Sequence, residues 1–420
     1  MKTLTYKICL LFGGAVLAFF GDLGADENHY KNILVGDRAA TMGGSYTAIS
    51  DDTSGAYYNP AGLVYSAGDS VSGSANTYHT TTTEYDEAIG DNDWKRESSA
   101  LLPNFFGIVK KFGPHTFAIT YAVPDSGSEH QDQTFTNLGL TDTSADVYRY
   151  VINLHLEDNT YLFGPSYAVQ LTDSLSFGVT LYYYYRLYRS QLNEFIQRYN
   201  TKTEWKYQTQ KITETGINPR VGIQWTPIEP LSIGFSISRT ELLSSSVKTM
   251  LIEKKADEDI GDYTYSGKNN NKRTLATKYS LGVSLFPSPF SLFTLDIDYY
   301  AAGKNRDDAN NNESENKLSD VMNFSFGSEI FINETNALRF GLFSNLTNQE
   351  KPDDSTSSVT HLDMYGATMG YSLYTRSSSV TLGMIYSQGS GESQLYADSS
   401  NTVDINRRSI TFLFAASYGY

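Results

Sequence analysis

The chain has 420 residues and a formal net charge of -15, with 32 Lys and Arg against 47 Asp and Glu. That balance argues against a nucleic-acid partner, which needs clustered Lys and Arg along its phosphate backbone. Mean hydropathy is -0.37, and past the N-terminus no apolar run nears the roughly 18 residues of a membrane-spanning helix. Any membrane structure must therefore be a closed barrel, the remaining way to pair every backbone polar group in lipid.

Taken in chain order, Lys2 and Lys7 precede an apolar run from Ile8 to Phe20 and small residues ending near Ala25. Basic, apolar and small segments in that order read as a secretory signal peptide over residues 1–25, cleaved after Ala25. The single cysteine, Cys9, leaves with it, so the mature chain is expected to hold no thiol, disulfide or cysteine metal site.

The next segment, 26–68, is too long for a tether and lacks the pattern of a strand. Small residues recur at Ala39, Ala40, Gly43, Gly44 and Ala48, which suits short helical pieces packed closely inside a lumen, with Asp51 and Asp52 following. Gly43-Gly44 is not a phosphate loop, because no Gly-Lys-Ser follows it and no strand precedes it.

From residue 69 to 420 the pattern is that of an all-β chain. In Ser409–Tyr420 the residues Ile410, Phe412, Phe414, Ala416, Tyr418 and Tyr420 share one face, and Thr411, Leu413, Ala415, Ser417 and Gly419 the other. Leu231–Ser238 alternates in the same way, as do segments near Leu175, Tyr279, Phe293, Met322, Leu338, Tyr365 and Val380. Six tight connections are legible, at Phe112–His115, Leu171–Ser174, Pro227–Pro230, Pro287–Pro289, Asn333–Thr335 and Thr375–Ser378. Seven long polar stretches, around Thr80, Asp132, Thr201, Asp257, Asn310, Asp354 and Gly391, alternate with them as outer loops. Acidic runs such as Asp307–Asn316 read as solvated loop rather than calcium sites, since no Asp-x-Asp-x-Asp-Gly spacing accompanies them. This asymmetry predicts an antiparallel transmembrane barrel of about 14 strands, with both termini and the tight turns in the periplasm. Val147–Gln170 reads as one long strand, which keeps the count even.

The run Gly36-Asp-Arg-Ala-Ala-Thr-Met-Gly-Gly-Ser-Tyr-Thr-Ala-Ile-Ser-Asp-Asp-Thr-Ser-Gly-Ala-Tyr-Tyr-Asn-Pro-Ala-Gly-Leu63 strongly resembles the N-terminal hatch of the long-chain fatty acid transporter family, the FadL/TodX type. Asn59, Pro60 and Ala61 look like that family's hatch motif. The resemblance implies a fourteen-stranded outer-membrane barrel plugged by its N-terminus, with passive uptake of hydrophobic molecules and sideways release at an inwardly kinked third strand. Separately, Tyr420 closes an alternating apolar strand, and a terminal aromatic in that setting looks like the signal read by the barrel assembly machinery, an expected partner alongside outer-membrane lipids; no cofactor is expected.

Pro124 closes the expected third strand, Thr116–Val123, and is the candidate wall opening favoured by the resemblance; Pro165 and Pro219 fall inside the fourth and sixth strands. Alternation places Arg220, Asp296, Asp298, Glu329 and Arg339 on the lumen side. They form either a salt-bridged filling or, at Arg220 or Arg339, an anchor for a ligand carboxylate. The six histidines are scattered and meet no hydrolase or zinc-enzyme motif, so no catalytic or metal residue is assigned. A general porin, or a barrel serving as a protein-binding component of a secretion or surface complex, remains an alternative to transport.

Overall fold

The fold is that of a computed structural model, which describes residues 28–89, 92–138, 147–199, 203–255, 263–303, 318–352, 359–394 and 402–420. The expected signal segment lies outside the described residues, as do residues 200–202, 256–262, 304–317 and 353–358, which hold Thr201, Asp257, Asn310 and Asp354. The strands are β1 (Ser70–Ile89), β2 (Asn92–Phe112), β3 (His115–Leu138), β4 (Val147–Thr172), β5 (Leu175–Arg198), β6 (Thr203–Ile228), β7 (Leu231–Arg239), β8 (Glu241–Lys255), β9 (Tyr263–Asn269), β10 (Thr277–Ser288), β11 (Ser291–Ala301), β12 (Val321–Asn333), β13 (Asn336–Asn345), β14 (Thr360–Tyr374), β15 (Ser378–Ser393) and β16 (Val403–Gly419).

β7 and β8 both pair with β6 and are parted only by Thr240, so they are two halves of one stave. β10 pairs with β7 and β9 with β8, which makes a second broken stave. The strands therefore build fourteen staves, all antiparallel, closed where β1 pairs with β16 from Ser70↔Gly419 to Tyr85↔Ile405. Closure leaves no edge to hydrogen-bond in lipid.

Period-two alternation decides which face each residue takes. Phe412, Phe414, Tyr418 and Tyr420 are exposed on the outer wall while Thr411, Leu413 and Ala415 are buried within, and Phe235 faces out while Ser232 and Ser236 face in. Outward apolar residues recur on the staves, among them Phe106, Phe117, Phe163, Leu181, Ile223, Leu281, Leu295, Phe326, Leu342, Met369 and Leu382, forming a lipid-facing belt. Tyr121, Tyr161 and Tyr185 stack across three staves at its rim, at 6.3 and 6.2 Å. All six tight turns fall where the sequence placed them, between β2 and β3, β4 and β5, β6 and β7, β10 and β11, β12 and β13, and β14 and β15.

Three expected outer loops are instead strand. Thr80 lies in β1, Asp132 in β3 and Gly391 in β15. The reason is that a Thr-rich polar stretch holds its ladder in water as well as in lipid, and nothing obliges a strand to stop at the membrane surface. β4 and β6 are each 26 residues long, against the roughly 10 that a bilayer requires. β11, β12 and β13 are short, at 11, 13 and 10 residues, so one side of the barrel stands much taller than the other. The third strand is also corrected: Pro124 does not end it, and β3 runs on to Leu138.

The lumen is filled from within by the N-terminal segment. Its elements are α1 (Arg38–Thr41), α2 (Gly55–Tyr58) and a 3-10 turn over Pro60–Tyr65, and Val35, Ala39, Met42, Tyr46, Ile49 and Leu63 are buried against the wall. Higher in the barrel, inward apolar residues of several staves, including Tyr85, Trp94, Leu154, Leu192 and Ile405, form one contiguous cluster.

Candidate functional site: a filled lumen and a parted wall

The Asn59-Pro60-Ala61 corner is where the segment docks onto the wall. Asn59 is fully buried, donates from Nδ2 to the carbonyls of Thr47 (2.7 Å) and Ile223 (3.1 Å), and accepts from the Ala61 amide at 3.2 Å. Pro60 opens the 3-10 turn, where its missing N–H costs nothing. The wall makes room with glycine: a Cβ on Gly222 would stand 1.9 Å from Asn59 Oδ1, and one on Gly178 would stand 2.3 Å from the Pro60 carbonyl carbon. Ser176 and Thr180 of β5 then donate to the carbonyls of Ala61 (2.9 Å) and Ala56 (3.0 Å). Four backbone carbonyls of the segment and wall are thereby paired by side chains in a place water would otherwise have to reach.

Gly43 and Gly44 both have positive φ, +68° and +76°, and turn the chain sharply after α1. The Gly43 amide donates to Thr368 Oγ1 at 3.0 Å, and a Cβ on the facing Gly341 would meet Gly43 nitrogen at 2.2 Å.

Charge fixes the same segment from its other side. Arg38 bridges Asp51, at 2.6 Å, and Glu329 of β12, at 2.5 Å. Glu329 also accepts from Arg339 at 2.7 Å, and Arg339 donates further to Ser372 at 2.7 Å and to the Tyr374 hydroxyl. Lys31 pairs with Asp298 at 2.8 Å, and Asp296 accepts the Tyr46 and Thr47 amides at 2.8 Å each. Asp52 accepts from the Ser54 amide (2.7 Å) and hydroxyl (2.6 Å). Desolvation, and then the Asp37 and Asp51 carboxylates, push Asp52 up to about 6.

Alternation thus placed all five wall charges correctly, and most of them hold the segment. Arg339 is not a free anchor, because Glu329, Ser372 and Tyr374 take up its donors. Arg220 differs. It is buried, donates to Asn218 Oδ1 at 2.8 Å and to the Tyr57 carbonyl, and lies under the rings of Tyr57 and Tyr182 at 4.1 and 5.6 Å, with no carboxylate in ion-pair range among the described residues. A buried cation amid tyrosines is suited to a ligand with a negative end and an apolar body.

The β2–β3 ladder is interrupted at Pro124. β2 and β3 pair at Ser98↔Glu129 and again from Phe105↔Ala122, with none between. The single pair beyond the gap keeps the register of the ladder before it, so residues 99–104 and 123–128 go unpaired with each other without a slip. Pro103 and Pro124 stand on opposite lips of the break and neither can donate. The N-terminal segment covers the break from inside: Ile33 amide donates to the Pro124 carbonyl (3.2 Å), Asn104 to the Leu34 carbonyl (3.1 Å), and Asn32 to Asp125 (3.2 Å). Pro165 and Pro219 lie within continuous stretches of β4 and β6.

Sequence reasoning missed Lys31 and Arg38, whose partners are distant in the chain, and the buried group of Arg186 with Asp158 and Glu214 in the upper lumen. The last was within reach, since all three fall on the inward face by simple alternation.

No family model and no curated protein matches the sequence. Solved structures match by fold. The CymD monoaromatic hydrocarbon channel aligns over 92% of this chain and 97% of its own, at 13% identity and a TM-score of 0.59. A Pseudomonas aeruginosa FadL homologue aligns over 93% and 99%, at 11% and 0.63. The P. putida toluene transporter TodX aligns over 92% and 98%, at 13% and 0.63. With its closed fourteen-stave wall and outward apolar belt, the chain has the fold of the FadL/TodX-type channels.

Proposed function

We propose that the protein is a passive outer-membrane transporter of hydrophobic small molecules with a charged or polar end, long-chain fatty acids among them, and that residues 26–68 act as its hatch. The observation that carries this reading is the coincidence of the two interruptions: the segment that fills the lumen is the one that caps the parted β2–β3 wall. A ligand entering from the tall side meets the apolar upper lining, then Arg220 among its tyrosines, and has a lateral way out only when Asn32 to Leu34 move off Pro124. A general porin is disfavoured because the segment occupies the bore. Neighbours described as monoaromatic hydrocarbon channels and toluene transporters support an apolar cargo.

Mass spectrometry of small molecules released from the barrel purified in mild detergent tests the reading. Recovery of amphipathic lipid-like species, reduced in an Arg220→Met variant, is expected; a lumen that carries none and takes up no added fatty acid would sink it.

A further inference from the structure

The tall wall carries a feature that transport does not use. His130 of β3 and His155 of β4 are directly opposed in the ladder, so their side chains leave the same face a few ångströms apart. Their Nδ1 atoms are 2.8 Å apart and their ring centroids 4.2 Å, with the planes at 67°. Both are exposed on the outer surface, on the same side of β4 as Phe163. His155 lies six residues beyond Tyr161 of the belt's rim, about 20 Å at ~3.3 Å per residue, and therefore in water outside the bilayer.

We infer that His130 and His155 form a two-histidine site for a divalent transition-metal ion, of the copper, nickel or zinc class, on the outside of the barrel. As the rings stand, one Nδ1 donates its proton to the other Nδ1. For both lone pairs to meet one ion, the donating ring moves its proton to Nε2, and no proton need leave the pair. Two nitrogens on one tetrahedral ion stand about 3.3 Å apart, given bonds of about 2.0 Å, so a small rotation about χ2 opens the present 2.8 Å to that span. Glu157 supplies the second requirement. Its Oε1 lies 3.8 Å from His155 Nε2, too far for a hydrogen bond as the rings stand but close enough that a small rotation lets it accept the Nε2 proton and hold the tautomer that leaves Nδ1 free, the usual relation of a carboxylate behind a metal-bound imidazole. Arg189 steadies Glu157 from the far side at 3.8 Å. Among the described residues no group of three or more potential ligands gathers, so water completes the shell, and the order of affinity follows ligand chemistry with copper first.

The remaining described histidines are otherwise engaged and serve as internal controls. His29 and His361 bond to the carbonyls of Leu362 and Gln349, His79 to Thr411, and His115 to Tyr167.

Titrating the full-length folded barrel in detergent with Cu(II), read by electron paramagnetic resonance, is the test. One ion bound through two imidazole nitrogens is expected, with a loss of at least tenfold in affinity in His130→Ala and in His155→Ala, and roughly tenfold in Glu157→Gln. His130→Gln and His155→Gln, which keep a polar side chain on the wall, stand in should an alanine variant fail the heat-modified gel shift that reports folding. Absence of a two-nitrogen signal in the parent, or a signal that survives both histidine changes, overturns the site and leaves a plain imidazole hydrogen bond.

Discussion

Single side chains decide how firmly the lumen is filled. Arg38 spans the segment and the wall, and because Glu329 keeps Arg339 when Arg38 is lost, Arg38→Met should loosen the segment by about 3 kcal/mol without unfolding the barrel. Spin labels within 38–58 would report it as mobility in an otherwise intact fold. Asp52 adds a pH dependence. Its folded value is raised from 3.8 to about 6, so between those values the packed segment binds more protons than the released one. Packing is therefore favoured in acid and weakens as pH rises through about 6. Hydrogen exchange near Ser54, corrected for its intrinsic rate, should be slower at pH 5 than at pH 7.5, and Asp52→Asn should flatten the difference; an unchanged slope in that variant would place the dependence elsewhere. Arg220 is the residue at which ligand charge is tested: Arg220→Met should weaken binding of a fatty acid more than that of a neutral hydrocarbon of equal length, measured by fluorescence displacement.

Individual elements were legible to the extent that their physics is local. The tight turns announce themselves through Gly, Pro, Asn and Ser, and inward and outward faces through alternation, so β7, β10, β11 and β16 could be read almost residue by residue. Strand ends could not, because Thr80–Thr83 or Asp132 is as acceptable in a polar strand as in a loop, and only neighbouring staves decide. Pro124 was recognisable as a disturbance, yet that β3 resumes beyond it depends on pairing with β4 through Glu129↔Leu156 and onward. Nor could any local signal show that Asn59 meets Gly222 and Pro60 meets Gly178, since each contact spans more than a hundred residues. Two predictions belong here. Replacing Asn59 and Pro60 together by Ala should leave the heat-modified gel shift intact, because the ladder does not rest on them, while disturbing fatty-acid uptake. Cysteines at Ala100 and Gly127, on opposite lips of the break, should form a disulfide that closes the wall; uptake should fall on oxidation and return with reductant, and uptake indifferent to the lock would rule out the side exit.

At the scale of the whole molecule, the tight turns and both described ends of the wall gather at one mouth, where the Tyr420 amide bonds to the Asp69 carbonyl at 3.1 Å. A single cysteine at Ser377 in that mouth should resist a membrane-impermeant reagent on intact cells while one at Asn193 of the tall wall reacts; the reverse pattern would invert the barrel. The seam itself bears on how such an object is made. β1 and β16 are the two ends of the wall, and the segment tethered to β1 grips staves to either side of their junction, its 3-10 turn against β4, β5 and β6 and α1 against β13, β14 and β15. The fit is close: a Cβ at Gly178 or Gly341 would run into the segment's backbone, and one at Gly222 into the Asn59 side chain, which leaves little room to thread that bulk through a finished cylinder. If the β1–β16 seam closes last, the sheet curls around its own N-terminal segment, which then serves as the mandrel on which the rest is wound.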